Sequence, residues 1–248
     1  MAKLTFLGTA SAVPSRDQHN SHFVIETGDY VLLIDCAGNP VVRLEEAGID
    51  PLSITDLVLT HFHPDHVSGA PLLLMDLWLM GRQDPIRVYG LDEVMDKLEK
   101  MMGLFNWEDW EGFYPVQFIR IPPSEMAPLI MEEKLKVWGS QVCHMIPAMG
   151  LRIQLPEFLL AYSSDTGPCA AVVRLADKAE ILIHEASGSS DGHSSAAEAG
   201  MIATRAGVKK LILIHYPPRI DPELLQAEAQ STFSGDVIVA EDLVTLSF

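Results

Sequence analysis

His61-Phe62-His63-Pro64-Asp65-His66 follows directly on the apolar, strand-like Leu57-Val58-Leu59 and puts four potential metal ligands within six residues. A neutral imidazole and an ionised carboxylate are both ready ligands near pH 7. On extended backbone His61 and His63 point the same way, while Asp65 and His66 fall where the chain is expected to turn. Such a loop can serve two adjacent ions. A coincidental polar loop would need neither this spacing nor the buried strand before it.

Outward from the motif, the first quarter reads as strands and turns: Leu4 to Leu7, Ser21 to Glu26, Tyr30 to Asp35. A helix is predicted from Pro40 to Ala47, with Gly48 as its stop. The stretch Pro71 to Tyr114 reads as helical and rich in Met and Trp. Strands follow at Val116 to Ile121, Lys134 to Val142, Leu151 to Gln154 and Leu159 to Tyr162. Ile181 to Ile183 and Leu211 to Ile214 read as buried apolar strands. Between them a helix opens on the capping box Ser195 and Glu198 and closes at Gly207. A last helix begins near Pro222 with Asp221 as cap, ahead of strands Val237 to Ala240 and Leu243 to Ser247. Strands, a helix, strands and helices again give an α/β chain with two sheets sandwiched between helices. With no low-complexity linker or repeat, residues 1–248 are expected to form one domain.

Bulk properties narrow the function. Apolar residues make up 48% of the 248, yet no stretch is long and charge-free enough to span a bilayer; Pro71 to Met80 is short and carries Asp76. The N-terminus lacks a signal peptide's apolar core. Cys36, Cys143 and Cys169 are odd in number and suit neither a disulfide framework nor a CxxC metal site, so a reducing cytoplasm is expected. Cys143 is read as a core residue on the far side of an extended strand from His144. Against 34 acidic residues stand 17 scattered basic ones, a net charge of −17. Proteins that hold long nucleic acids show a basic stripe, so this balance repels a polyanion.

Taken together, the motifs resemble the metallo-β-lactamase fold, and within it the ribonuclease Z branch with its phosphodiesterase relatives. The resemblance rests on His61 to His66, Phe6-Leu7-Gly8-Thr9-Ala10-Ser11-Ala12-Val13-Pro14-Ser15, Asn20-Ser21, Asp35-Cys36, Tyr162-Ser163-Ser164-Asp165-Thr166, His184-Glu185-Ala186 and Gly192-His193-Ser194-Ser195. It implies a four-layer αββα sandwich and a dinuclear site. His61, His63 and His144 would hold one ion, Asp65, His66 and His215 the other, and Asp165 would bridge them. The last three positions each follow a buried strand, where loops build sites. The ions are expected to be divalent, zinc in the first place, with manganese or iron also compatible with the donors.

Two metals about 3.5–4 Å apart suit phosphate-ester hydrolysis through a bridging hydroxide. Asp65 would orient and deprotonate that water, and His193, oriented by Glu185, would protonate the leaving alkoxide. Ser194 and Ser195 are candidates to bind a phosphate oxygen, although capping alone accounts for Ser195. His184 is read as structural, and His19 and His22 as turn residues. Met75, Trp78, Met80, Met101, Met102, Trp107 and Trp110 are expected mainly to pack, with a minority lining the cleft or a homodimer interface.

Departures from ribonuclease Z bear on the substrate. Only Gly150 to Ala161 lies where that family carries a tRNA-gripping arm, Pro64 stands where glycine is usual, and Ile214-His215-Tyr216-Pro217-Pro218 lacks the usual threonine. The expected partner is a small phosphodiester or cyclic phosphate, with tRNA disfavoured and no membrane partner. The alternatives are a ribonuclease Z-type tRNA 3′ endonuclease, a carboxylic, thio or sulfuric ester hydrolase, or a metal-binding scaffold without turnover.

Overall fold

The computed structural model describes residues 2–248. Its first half runs β1 (Lys3–Gly8), β2 (His22–Thr27), β3 (Tyr30–Ile34), α1 (Pro40–Glu46), β4 (Asp56–Val58), α2 (Pro64–Val67), α3 (Ala70–Leu79), β5 (Ile86–Leu91), α4 (Asp92–Leu104) and β6 (Val116–Ile121). The second half runs β7 (Ala127–Met131), β8 (Lys136–Gln141), β9 (Met149–Gln154), β10 (Leu159–Tyr162), α5 (Ala170–Leu175), β11 (Ile181–Glu185), α6 (Ala196–Ala206), β12 (Lys210–Ile214), α7 (Pro222–Gln230), β13 (Asp236–Val239) and β14 (Thr245–Ser247).

Period-two alternation dictates the layering. Along β12, Ile212 and Ile214 join the larger apolar cluster, while Leu211 and Leu213 join a second one with Ile202 of α6 and Leu225 of α7. A strand buried on both faces needs cover on both, so a sheet packs on one side and helices on the other. The result is the expected four-layer αββα sandwich. One seven-stranded sheet has the order β14-β1-β2-β3-β4-β5-β6 and the other β13-β12-β11-β10-β9-β8-β7. Each is mixed: β3 to β6 run parallel in the first, and β10 to β13 in the second. The C-terminal strand β14 crosses back to pair antiparallel with β1.

The two sheets meet at Phe23 of β2 and Tyr162 of β10, whose rings contact edge to face at 5.0 Å and 87°. Such a pair adds about 0.5–1.5 kcal/mol beyond its buried area. Tyr162 lies three residues before Asp165, so this packing also fixes the strand that delivers a site carboxylate.

Helix ends follow the local chemistry. Both halves of the predicted box form at α6: Ser195 accepts from the Glu198 N–H, and the Glu198 carboxylate accepts from the Ser195 N–H at 2.8 Å. Gly207 closes the helix at φ 68°, a conformation that favours glycine. Asp221 caps α7 as predicted.

The middle of the chain is less helical than expected. Strand β5 interrupts Pro71 to Tyr114, because Gly81 ends one helix and Pro85 favours extended backbone ahead of Ile86. Strand β7 and the short helix α5 were not predicted. Among the described residues, no helix is long and apolar enough to cross a membrane.

Candidate metal centre

Every predicted ligand arrives at the C-terminal end of a strand. Past β4 the chain stays extended through His63, which then serves as the residue before α2 at φ −82° and ψ 147°. Pro64 is the first residue of that helix, where its missing N–H would have had no partner anyway. Proline at position 64 is therefore compatible with this backbone. Asp65 and His66 sit within this one-turn helix rather than in an open turn.

From the second sheet, His144 follows β8, Asp165 follows β10 and His215 follows β12. Two clusters result. Donor atoms of His61, His63 and His144 lie within 4.8 Å of one another, as do those of Asp65, His66, Asp165 and His215. Asp165 stands between them: its Oδ2 is 3.4 Å from Nε2 of both His66 and His215, and 3.7 Å from Nε2 of His61. The first cluster is the more open, since His63 and His144 are half-buried, while His66, Asp165 and His215 are buried.

Buried polar atoms ordinarily have partners. Here His61 Nε2, His66 Nε2 and Asp165 Oδ1 have no hydrogen-bond partner. Imidazole nitrogens and carboxylate oxygens converging in this way fit divalent cations. Electrostatics agree. Burial pushes His61 well down and His63 down, keeping both imidazoles neutral. Burial would push Asp65 and Asp165 up, but neighbouring histidines hold both carboxyls below their usual range. His66 differs: burial would push it down, yet Asp165 and Asp35 hold it well above, so a cation there must displace a proton.

Behind the donors lies a second set of contacts that aims them. Buried Asp35, at φ 59° after β3, accepts from His66 Nδ1 at 2.8 Å, from the Thr60 N–H at 2.8 Å and from the Thr60 hydroxyl at 2.9 Å. The Thr60 oxygen in turn sits 3.1 Å from His61 Nδ1. The Gly192 carbonyl accepts from His144 Nδ1 at 2.7 Å. With Nδ1 so occupied, each of these rings presents Nε2 to the centre. The sequence offered Asp35 and Gly192 only as parts of motifs and gave no sign of what Thr60 does.

His193 Nδ1 donates to Glu185 Oε1 at 2.9 Å, and a ring nitrogen of His193 lies within 4.8 Å of donor atoms of His144 and Asp165. Glu185 is fully buried and saturated, accepting also from Thr166 N–H, Ser194 N–H, Ser187 N–H and the Ser187 hydroxyl. That hydrogen bond from His193 is the main reason its imidazole is pushed above the ordinary value.

Other expectations fare variously. The Ser194 hydroxyl donates to the Thr166 carbonyl and so is not free for a phosphate oxygen, while the Ser195 oxygen serves as the helix cap. His184 is structural as expected, its Nδ1 donating to the Glu185 carbonyl. Cys143 is not a core residue: β8 ends at Gln141, the alternation lapses, and the thiol is exposed. Of the Met and Trp group, Trp78 stacks on Trp110 at 5.3 Å. Met75, Met101 and Trp110 line an open cavity of about 380 Å³ with Ser68, two residues beyond His66.

Comparison with known proteins fits this geometry. A family model described as Anti-Pycsar protein Apyc1 matches residues 2–236. A ribonuclease Z of Methanothermobacter thermautotrophicus is 29% identical over 99% of this chain and 96% of its own length. That alignment spans 303 positions, so more than fifty of the relative's residues face no residue of this 248-residue chain. Among solved structures, the metallo-β-lactamase fold protein YhfI from Bacillus subtilis superposes with a TM-score of 0.85 at 24% identity, covering 99% of this chain and 98% of that one. The short form of human tRNase Z gives 0.82 at 25% identity, with 99% and 98% covered.

Proposed function

This chain belongs to the Anti-Pycsar protein Apyc1 family, a metal-dependent hydrolase of the metallo-β-lactamase fold, and on that premise we propose a two-metal phosphodiesterase acting on a small phosphodiester or cyclic phosphate. The observation that carries this reading is the His193–Glu185 pair at the edge of the two donor clusters. A thioester's thiolate departs without a proton, whereas a phosphodiester's alkoxide needs one as the P–O bond breaks.

His61, His63 and His144 would hold one divalent ion, and Asp65, His66 and His215 the other, with Asp165 shared. Zinc is the first expectation for this donor set. Bound there, the ions would lower the pKa of a water and neutralise charge on phosphate oxygens. The side chains do the rest. Asp65, held ionised by His66 and His215, orients the attacking water and takes its proton. His193, kept protonated by Glu185, gives its proton to the leaving oxygen. The water oxygen has then formed a bond to phosphorus, and the displaced alcohol leaves neutral.

The second reading is a ribonuclease Z-type tRNA 3′ endonuclease, favoured by the name of the 29%-identical relative. Against it stand the net charge of −17 and the tight turn of Leu155 to Phe158 between β9 and β10, where an arm would have to emerge. The test is an activity panel with zinc and manganese separately: bis-p-nitrophenyl phosphate, cyclic nucleotides, tRNA precursors, thioesters and lactones. Cleavage of the phosphodiesters is the expected result. Ready turnover of thioesters or lactones with phosphodiesters untouched would sink the proposal.

A further inference from the structure

We propose that Cys143 and Cys169 are an oxidation site, forming a disulfide under hydroperoxide that fastens together the two loops carrying His144 and Asp165. The inference rests on the ligand geometry and not on which ester is hydrolysed.

The two cysteines are distant in sequence but meet in space. Cys143 is exposed, one residue before His144, because β8 stops short of it. Cys169 is half-buried, four residues past Asp165 and immediately before α5. Thr166 joins them. Its hydroxyl oxygen accepts from the Cys143 N–H at 3.1 Å and lies 3.7 Å from the Cys169 sulfur. The Gly167 N–H donates to the Cys143 carbonyl at 2.8 Å, pinning one loop on the other. Thr166 thus stands between the backbone of one cysteine and the sulfur of the other. Cys36, by contrast, is sealed in the core.

The chemistry balances. A hydroperoxide transfers its terminal oxygen to the solvent-facing Cys143 sulfur and leaves as the alcohol, giving a sulfenic acid. The Cys169 sulfur attacks that sulfur, the S–O bond breaks, and hydroxide departs as water with the Cys169 proton. Two thiols and one hydroperoxide become one disulfide, one alcohol and one water. Burial would raise the Cys169 thiol, but contacts from the Val172 backbone, the Thr166 hydroxyl and Cys143 bring it lower, which eases this second step.

The function-level consequence follows from length. A disulfide holds its two Cα atoms about 4.4–6.8 Å apart, so closure would lock the Cys143 loop to the start of α5 at that spacing. His144 directly follows Cys143 in the chain, and Thr166, next to Asp165, lies 3.7 Å from the Cys169 sulfur. A shift of about 1 Å in such groups is worth up to about a hundredfold in turnover. The oxidised protein should hold its metal less tightly and hydrolyse at least about tenfold more slowly.

The experiment treats metal-loaded protein with excess tert-butyl hydroperoxide. Expected are a product about 2 Da lighter, a fall from three thiols to one on titration of the denatured protein, and a mapped Cys143–Cys169 peptide. Zinc should pass to a chelator faster, phosphodiester turnover should drop, and dithiothreitol should restore both. Cys143→Ser and Cys169→Ser, neither of which touches the donors, should keep basal activity and resist the oxidant. Oxygen added at Cys143 with no cross-link overturns the proposal. So does a cross-link that changes neither metal retention nor turnover. Equal sensitivity of Cys143→Ser would overturn it too, shifting the oxidant's effect to a group such as exposed Met145.

Discussion

Asp35→Asn isolates what aiming a ligand is worth. Asparagine is among the few residues that tolerate φ near 59°, so the backbone can stay where it is. The carboxylate, however, accepts on both oxygens: Oδ1 from the Thr60 N–H and Oδ2 from His66 Nδ1. An amide keeps one acceptor and turns the other into a donor. With its oxygen left on the Thr60 N–H, its NH2 faces His66 Nδ1. That ring must then accept at Nδ1 and carry its proton on Nε2, the nitrogen needed at the centre. The Thr60 hydroxyl loses a charged acceptor as well, loosening its hold on His61 Nδ1 at 3.1 Å. Removing contacts of this kind costs about 10–100-fold in metal affinity, or about 1.4–2.7 kcal/mol. Competition with a chromophoric chelator should show this loss in the cluster of Asp65, His66 and His215, and a smaller one in the cluster of His61. Thr60→Val should weaken only the latter. If Asp35→Asn binds two ions with unchanged affinity while remaining folded, the reasoning that these contacts set the donors is wrong.

Other outcomes follow from the same geometry. His193→Ala should cut turnover about 10²–10⁴-fold with metal content intact, checked by steady-state kinetics beside metal analysis; equal loss of metal and activity would mean a structural role. Because Glu185 raises His193, turnover should fall as pH rises through that raised value, where the acid loses its proton. Glu185→Gln should move this limb to lower pH in a pH–rate profile. Gly192→Ala should weaken the His61 cluster and lower Tm: it needs φ 76°, and its Cβ would sit 2.9 Å from His144 Nδ1. Removing metal by chelation should lower Tm by roughly 5–11 °C relative to protein held at a hundred times Kd, read by thermal melting.

Legibility in the sequence followed the range of the interactions. The α6 capping box and the Asp221 cap are written within a few residues, and the structure bears them out; the His61 to His66 run is as local, and the structure gathers its polar side chains into the two donor clusters. The αββα layering was legible because Ile212 and Leu211 belong to runs apolar on both faces. Strand β5 was not: Ile86–Leu91 lies inside a Met- and Trp-rich stretch whose composition argues helix, and it forms because β4 and β6 need a partner between them. Thr60, Gly192 and Ser187 escaped for a different reason. Their roles depend on which nitrogen of a ring faces inward, something decided by contacts 48 residues apart in the case of His144 and Gly192. The reading of Cys143 as core failed on a boundary, since two residues past the end of β8 the side-chain alternation no longer holds.

The donors straddle the seam between the sheets: His61, His63, Asp65 and His66 hang from the first, and His144, Asp165 and His215 from the second. Neither half of the chain can assemble either cluster by itself. Catalytic competence is therefore a report on docking, withheld from a nascent chain until its second half has been synthesised through β12 and packed against its first. Ions held by these donors would act as rivets across that seam, so their loss should loosen the halves from each other before either half melts. Amide exchange along β10 and β2, with and without metal, is where that loosening would register first.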